Sequence, residues 1–168
     1  LTNLHVTVRE WGEEIIFLYR LQPGCTNRSY GIHVARLAGL PADTIQRLAP
    51  LLDRLTTQDI YAAQETYVEL FDRGRALSLH LFEHVHGESR DRGQAMVDLR
   101  ERYVAAGLDP VANELPDYLP LFLDYCSILP EEAAREALAE PGIVLVALAA
   151  RLADRESDYA PVFAVLCD

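Results

Sequence analysis

A mainly α-helical bundle, preceded by a short β-hairpin and a helix–turn–helix, is the fold that this 168-residue sequence predicts. Three observations predict it. Apolar–polar alternation is confined to the first two dozen residues. From Ala42 onward, apolar residues recur at spacings of three and four. Prolines stand where helices begin, at Pro41, Pro116 and Pro130, and Gly39 and Gly107 stand where helices end.

The elements follow in order. Residues 4–9 place Leu4, Val6 and Val8 on one face and His5, Thr7 and Arg9 on the other, the pattern of a half-buried strand. Glu10 to Glu13 is a turn candidate. Glu14 to Leu21 is apolar on both faces and reads as a strand of a covered sheet. A lone hairpin is marginal in water, so this segment reads as cut from something larger. Ser29 to Leu37 forms a short helix ended by Gly39, and a second helix runs from Ala42 to about Leu55. Thr57 to Phe71 is helical, with 60, 63, 67, 68, 70 and 71 inward and Asp59 near its start. A break follows over 72–78, then one or two turns over 79–85. Glu88 to Ala106 is a long helix with Met96, Leu99, Tyr103 and Val104 inward. Helices are expected over Asp117–Leu129, with Pro116 and Pro120 in the first turn, and over Pro130–Ala139 and Ile143–Asp154. Ser157 caps a last helix, with Pro161 near its start.

Composition excludes several functions. The length suits one domain, or one with a small appendage, and half the residues are apolar. No apolar run approaches the roughly 18 residues of a membrane span. Ile143 to Ala150 comes nearest and is bounded by Pro141 and Arg151. No signal peptide is evident, and a start at Leu1 reads as a fragment. All fifteen basic residues are Arg. A phosphate-binding loop and Schiff-base chemistry both require Lys, so neither is expected. Residues 56–168 hold nine Arg and twenty-one acids, a net −12 that repels nucleic acid and favours basic partners. Cys25, Cys126 and Cys167 form no C-x-x-C pair and read as free thiols of a reducing cytoplasm.

Leu70 to Met96 concentrates the polar chemistry. His80 and His84, at i and i+4, could present a metal from one helical face, with His86 and Glu83 or Glu88 completing a set. Against that stands a histidine-rich helix end whose imidazoles bond backbone and carboxylates, or a peptide-contact surface. No metal and no cofactor is expected. Arg90 and Arg92 oppose the dipole of the helix they begin, so they are expected to fork onto carboxylates such as Asp72, Glu83 or Asp117, or to meet a ligand. Glu114 and Asp117, at i and i+3, could suggest acid–base work, but no nucleophile or oxyanion-hole pattern accompanies them. An enzyme is not expected. Tyr67, Phe71 and Tyr103, at helical spacing, suit a core.

Two resemblances emerge from particular runs. The run Ser29-Tyr30-Gly31-Ile32-His33-Val34-Ala35-Arg36-Leu37-Ala38-Gly39-Leu40-Pro41, with Asn3 to Val6 before it, resembles the C-terminal end of the MutS mismatch-repair ATPase. In that family these elements finish the ATPase sheet and contribute to dimerisation. The phosphate loop and its acids are absent, so no catalytic residue carries over. The stretches Pro50–Leu55, Tyr67–Gly74, Ser78–Met96 and Glu114–Leu121 resemble the NarJ family of nitrate reductase assembly chaperones, of the TorD-like group. Glu114 and Asp117 match part of that group's E-x-x-D-H signature, with Tyr118 in the place of His. The resemblances divide the chain into a MutS-like fragment, 1–48, and a NarJ-like helical domain, 49–168, lacking its first helices and its tail. The whole looks like a chimera, engineered or recombined.

The second resemblance implies a cytoplasmic, non-enzymatic chaperone. Its partner would be the basic or amphipathic N-terminal peptide of an apo nitrate reductase catalytic subunit awaiting molybdenum cofactor insertion. The peptide-binding residues expected are Tyr67, Phe71, His80, Phe82, Glu83, His84, His86, Glu88, Arg90, Arg92, Asp117 and Tyr118. Leu81, Phe82 and Val85 would form an apolar floor, and Glu83, Glu88 and Asp117 would meet basic residues. The rival readings are a chimera without native activity and a MutS-type dimerisation fragment. The apolar Ile15, Phe17, Ile32, Val34 and Leu37 must be covered, by packing on the bundle or by homodimerisation through residues 1–48. Without Lys or a phosphate loop, Mg-ATP should leave the thermal unfolding midpoint unchanged. A bound nucleotide at 100 times its Kd would instead stabilise the fold by about 2.7 kcal/mol, readily seen by differential scanning fluorimetry.

Overall fold

The computed structural model describes residues 4–11, 14–23, 39–87, 89–108 and 114–168. The chain divides into two compact units, Leu1–Gln58 and Asp59–Asp168. The fold is mainly α.

In the first unit, β1 (Leu4–Trp11) and β2 (Glu14–Pro23) pair antiparallel, with Val6 opposite Leu21 and Val8 opposite Phe17. The register shifts between Val6 and Val8. The helix expected over Ser29–Leu37 lies outside the described residues, as does Cys25. Gly39 has φ +82°, the left-handed conformation glycine tolerates best, just ahead of α1 (Ala42–Thr57). That helix continues through Pro50, which has no N–H to give the carbonyl one turn back.

The second unit opens with α2 (Ile60–Phe71). Asp59 caps it, its Oδ1 accepting from the N–H groups of Tyr61 (3.0 Å) and Ala62 (3.3 Å). The inward face is narrower than expected. Ala63 and Phe71 are buried and Tyr67 and Leu70 half-buried, but Ile60 is 61% exposed and Val68 39%. A 3₁₀ turn (Arg75–Leu77) occupies the expected break. Two helices follow, α3 (Leu81–Val85) and α4 (Asp91–Ala105). Leu99 and Tyr103 point inward as expected, whereas Val104 is more than half exposed, one position past the buried stripe.

The fifth helix, α5 (Leu119–Ile128), begins two residues later than the sequence suggests. Asp117 and Tyr118 are drawn into an antiparallel bridge with His80 instead of the helix, and Pro120 rather than Pro116 occupies the first turn. The remaining helices are α6 (Glu131–Ala139), α7 (Gly142–Ala153) and α8 (Ala160–Leu166). Ser157 Oγ accepts from the Tyr159 N–H at 3.3 Å ahead of α8, where Pro161 sits in the first turn.

One core runs through this unit. Leu77, Tyr103, Leu145, Leu148 and Leu152 are its most completely enclosed apolar members. Phe71 anchors an aromatic corner, with Tyr67, Tyr159 and Phe163 at ring separations of 5.0, 5.2 and 6.3 Å. Arg151 on α7 donates to the Ala76 carbonyl at 2.7 Å, tying the 3₁₀ turn to that helix. Leu148→Ala should lower the urea midpoint by an amount equivalent to about 2–5 kcal/mol, the cost of a core cavity. Ile143→Ala, on the same helix but 89% exposed, should leave it within about 0.5 kcal/mol.

Candidate functional site

The polar block gathers around Asp117, which is completely buried. Its position is fixed by backbone pairing. The Leu81 N–H donates to the Asp117 carbonyl at 2.9 Å, and the Leu119 N–H donates to the Leu79 carbonyl at 2.8 Å. These two bonds flank the His80–Tyr118 bridge. Behind it, the Tyr103 hydroxyl donates to the Pro116 carbonyl at 2.7 Å. Asp117 thus arrives beside the first turn of α3, where orphan N–H groups seek an acceptor.

Its carboxylate accepts from the Phe82 N–H on Oδ2 at 3.0 Å and from His80 Nδ1 on Oδ1 at 3.2 Å. Arg92 on α4 brings Nη2 to 3.7 Å from Asp117 Oδ2 and 3.6 Å from Glu83 Oε1. One guanidinium nitrogen therefore lies between two acids, rather than forking onto a single carboxylate. A buried carboxylate needs such company, because an unpaired one would cost several kcal/mol. Asp117 is enclosed, and its oxygens face the Phe82 N–H, His80 Nδ1 and Arg92.

The other expected residues take separate stations. Tyr67 on α2 shares a 2.9 Å hydrogen bond with the Tyr118 hydroxyl. Burial, then that bond, raise the Tyr67 phenol well above its ordinary range. The His80 ring lies 5.4 Å from that of Tyr118. His84 donates through Nε2 to the Ser78 carbonyl at 2.8 Å, which assigns its proton to that nitrogen. His86 sets its ring edge-on to Phe82 at 5.3 Å. Gly87, at φ +54°, ends α3 behind it. Phe71 is core. Arg90 is exposed beside a cleft of about 520 Å³ bordered by Arg92, Met96 and Leu115. Glu88 lies outside the described residues. Among the described residues, no three His, Cys, Asp or Glu side chains are grouped to hold a metal ion.

Sequence reasoning missed Ser78. It is buried, its Oγ accepts from the His80 N–H at 3.2 Å, and its carbonyl accepts from His84 Nε2–H. The signal was there in Ser-x-His, a side-chain turn at the entry to a helix. Also missed were Asp98, Arg102 and Glu140. Arg102 holds Glu140 through two bonds of 2.8 and 3.1 Å and lies 5.8 Å over the Tyr125 ring. What the block presents outward is a half-buried Phe82, a 61% exposed Val85 and the Glu83–Arg92 pair, a surface suited to binding. No helix among the described residues is long and apolar enough to cross a membrane.

Comparison with known proteins finds two families. Residues 37–165 match the model of the nitrate reductase delta subunit family, and residues 1–56 match that of MutS domain V. The chain is similar to the nitrate reductase molybdenum cofactor assembly chaperone NarJ of Escherichia coli K12, 53% identical over 133 residues, 79% of this chain and 56% of that protein. It is 50% identical over 118 residues to the probable chaperone NarW of the same strain, 70% of this chain and 47% of that protein. It is 49% identical over 81 residues to the DNA mismatch repair protein MutS of Desulfitobacterium hafniense Y51, 48% of this chain but only 9% of that protein. The chain therefore spans about half the length of the chaperones it matches. The two family matches overlap on residues 37–56, which include most of α1.

Asp117→Ala would remove the acceptor of the Phe82 N–H and one of the two acids beside Arg92. It should destabilise the fold by about 3–5 kcal/mol in denaturant titration. Asp117→Asn, which keeps an acceptor oxygen, should cost clearly less.

Proposed function

The chain belongs to the nitrate reductase delta subunit family, and from that membership we propose that it is an assembly chaperone for a respiratory nitrate reductase. It works by binding, not catalysis, in the cytoplasm. Its client is the apo catalytic subunit, held through a basic or amphipathic N-terminal segment while the molybdenum cofactor is inserted. The observation that carries this reading is the 53% identity to the Escherichia coli chaperone over 133 residues.

The physical character of the helical unit supports it. An amphipathic peptide needs an apolar floor and a rim of opposite charge. Phe82 and Val85 offer the floor, and Glu83 stands beside them at the surface. The net −12 over residues 56–168 draws a basic segment toward the unit before contact. Rigidity matters as much as charge, since a preorganised surface spends less of its binding free energy on ordering. The Asp117 bonds supply that rigidity by fixing α3. His80, Tyr118 and Tyr67 border the same block and are the aromatic neighbours a docked segment would meet. Residues 1–48 are assigned no part in binding. Their MutS-like character fits a structural or dimer-forming role.

Calorimetric titration with a synthetic N-terminal peptide of a nitrate reductase catalytic subunit tests the proposal. One-to-one binding is expected. It should weaken as ionic strength rises from about 0.01 M to about 0.15 M, which shortens the screening length from about 30 Å to about 8 Å. Glu83→Ala should reduce affinity about fivefold, while Glu131→Ala on α6 should not change it. Absent binding, or an affinity indifferent to both salt and Glu83, would overturn it.

A further inference from the structure

A pocket of about 280 Å³ opens between α3, α4, α5 and the corner that joins α6 to α7. Leu81, Phe82, Val85, Leu99 and Phe122 line it. Leu99 and Phe122 lie outside the expected site. The volume is below that of ordinary cofactor and metabolite pockets and suits one large apolar side chain. The walls are firm, because Leu81, Leu99 and Phe122 are core residues. The mouth is open, because Val85 is 61% exposed and Phe82 half-buried.

Two carboxylates stand at this mouth, Asp98 and Glu140, and they differ in availability. Glu140 has both oxygens engaged by Arg102, so its charge is matched and its position fixed. Asp98 is exposed and accepts one bond, on Oδ1 from Gln94 Nε2 at 2.7 Å, with its other oxygen unpartnered among the described residues. An apolar hole with one uncompensated carboxylate at its edge recognises an apolar group that has a cation beside it.

Building on the peptide-binding reading above, we propose that this pocket seats the apolar anchor of the client segment and that Asp98 reads a basic residue next to that anchor. On a helical client the two would sit three or four residues apart, on one face. Arg102 also lines the pocket, and by neutralising Glu140 it leaves Asp98 as the discriminating charge.

The test uses the full chain and three fluorescein-labelled, N-acetylated helical peptides, with fluorescence anisotropy as readout. The first carries a leucine with an arginine four residues on. The second has glutamine for that arginine, and the third has serine for that leucine. The expected order of affinity is first, second, third. Asp98→Asn should weaken the first peptide about tenfold and leave the second unchanged. Ala95→Phe, which fills the pocket from the α4 side, should weaken both leucine peptides. Circular dichroism verifies that each variant is folded, and Asp98→Asn, conservative and exposed, still decides the matter if Ala95→Phe does not fold. The nitrate reductase peptide is titrated alongside. If it binds while neither substitution alters any affinity, the pocket assignment is overturned and the chaperone reading stands. If no peptide binds the wild-type chain, both fall.

Discussion

Everything around the candidate site depends on burying one carboxylate, that of Asp117. Taking an ionised group out of water is costly, and the structure offsets that cost with a backbone N–H from Phe82, an imidazole from His80 and a guanidinium from Arg92. Each partner belongs to a different local feature. Satisfying Asp117 therefore brings together the start of α3, the first turns of α4 and the bridge ahead of α5. A five-residue helix such as α3 would not persist alone in water. It persists because a distant acid accepts from its first turn and because Leu81 is part of the core.

The absence of Lys changes the character of the surface. A guanidinium keeps its charge in partly buried settings and spreads it over five donors, so it can stand between carboxylates where an ammonium would hydrate instead. Arg92 between Glu83 and Asp117, Arg102 on Glu140 and Tyr125, and Arg151 on the Ala76 carbonyl all use that property. These three Arg side chains tie separate elements of the helical unit together. Much of the acidic excess is left facing solvent, where it gives the helical unit its long-range pull on basic partners.

The overlap of two family matches on residues 37–56 has a simple physical meaning. In this chain most of those residues lie in the single helix α1, whose periodicity runs unbroken through the overlap. In α1, Ile45 and Leu51 remain buried, one on each side of the junction expected at residues 48 and 49. Pro50 falls just after that junction and is carried within the helix.

The helical class, most helix positions and several helix ends were legible in the order of the residues alone. Asp59 as a cap, Gly107 in a left-handed conformation and Pro161 in a first turn follow from local backbone chemistry that neighbouring residues set. The sequence also nominated His80, Glu83, Arg92, Asp117 and Tyr118, because residues so costly to bury rarely crowd together without cause. Their partners, by contrast, are set by the fold in three dimensions. Asp117 and Phe82 are 35 positions apart and Tyr67 and Tyr118 are 51 apart, and no periodicity records a pairing at such range. Which face of α2 is covered, why α5 starts at Leu119 and why Asp117 faces inward while Asp98 faces solvent are settled by neighbours in space. Local propensity acts over a turn or two of chain. Burial, which fixes whether a carboxylate holds the fold or waits for a partner, depends on the elements that close over it.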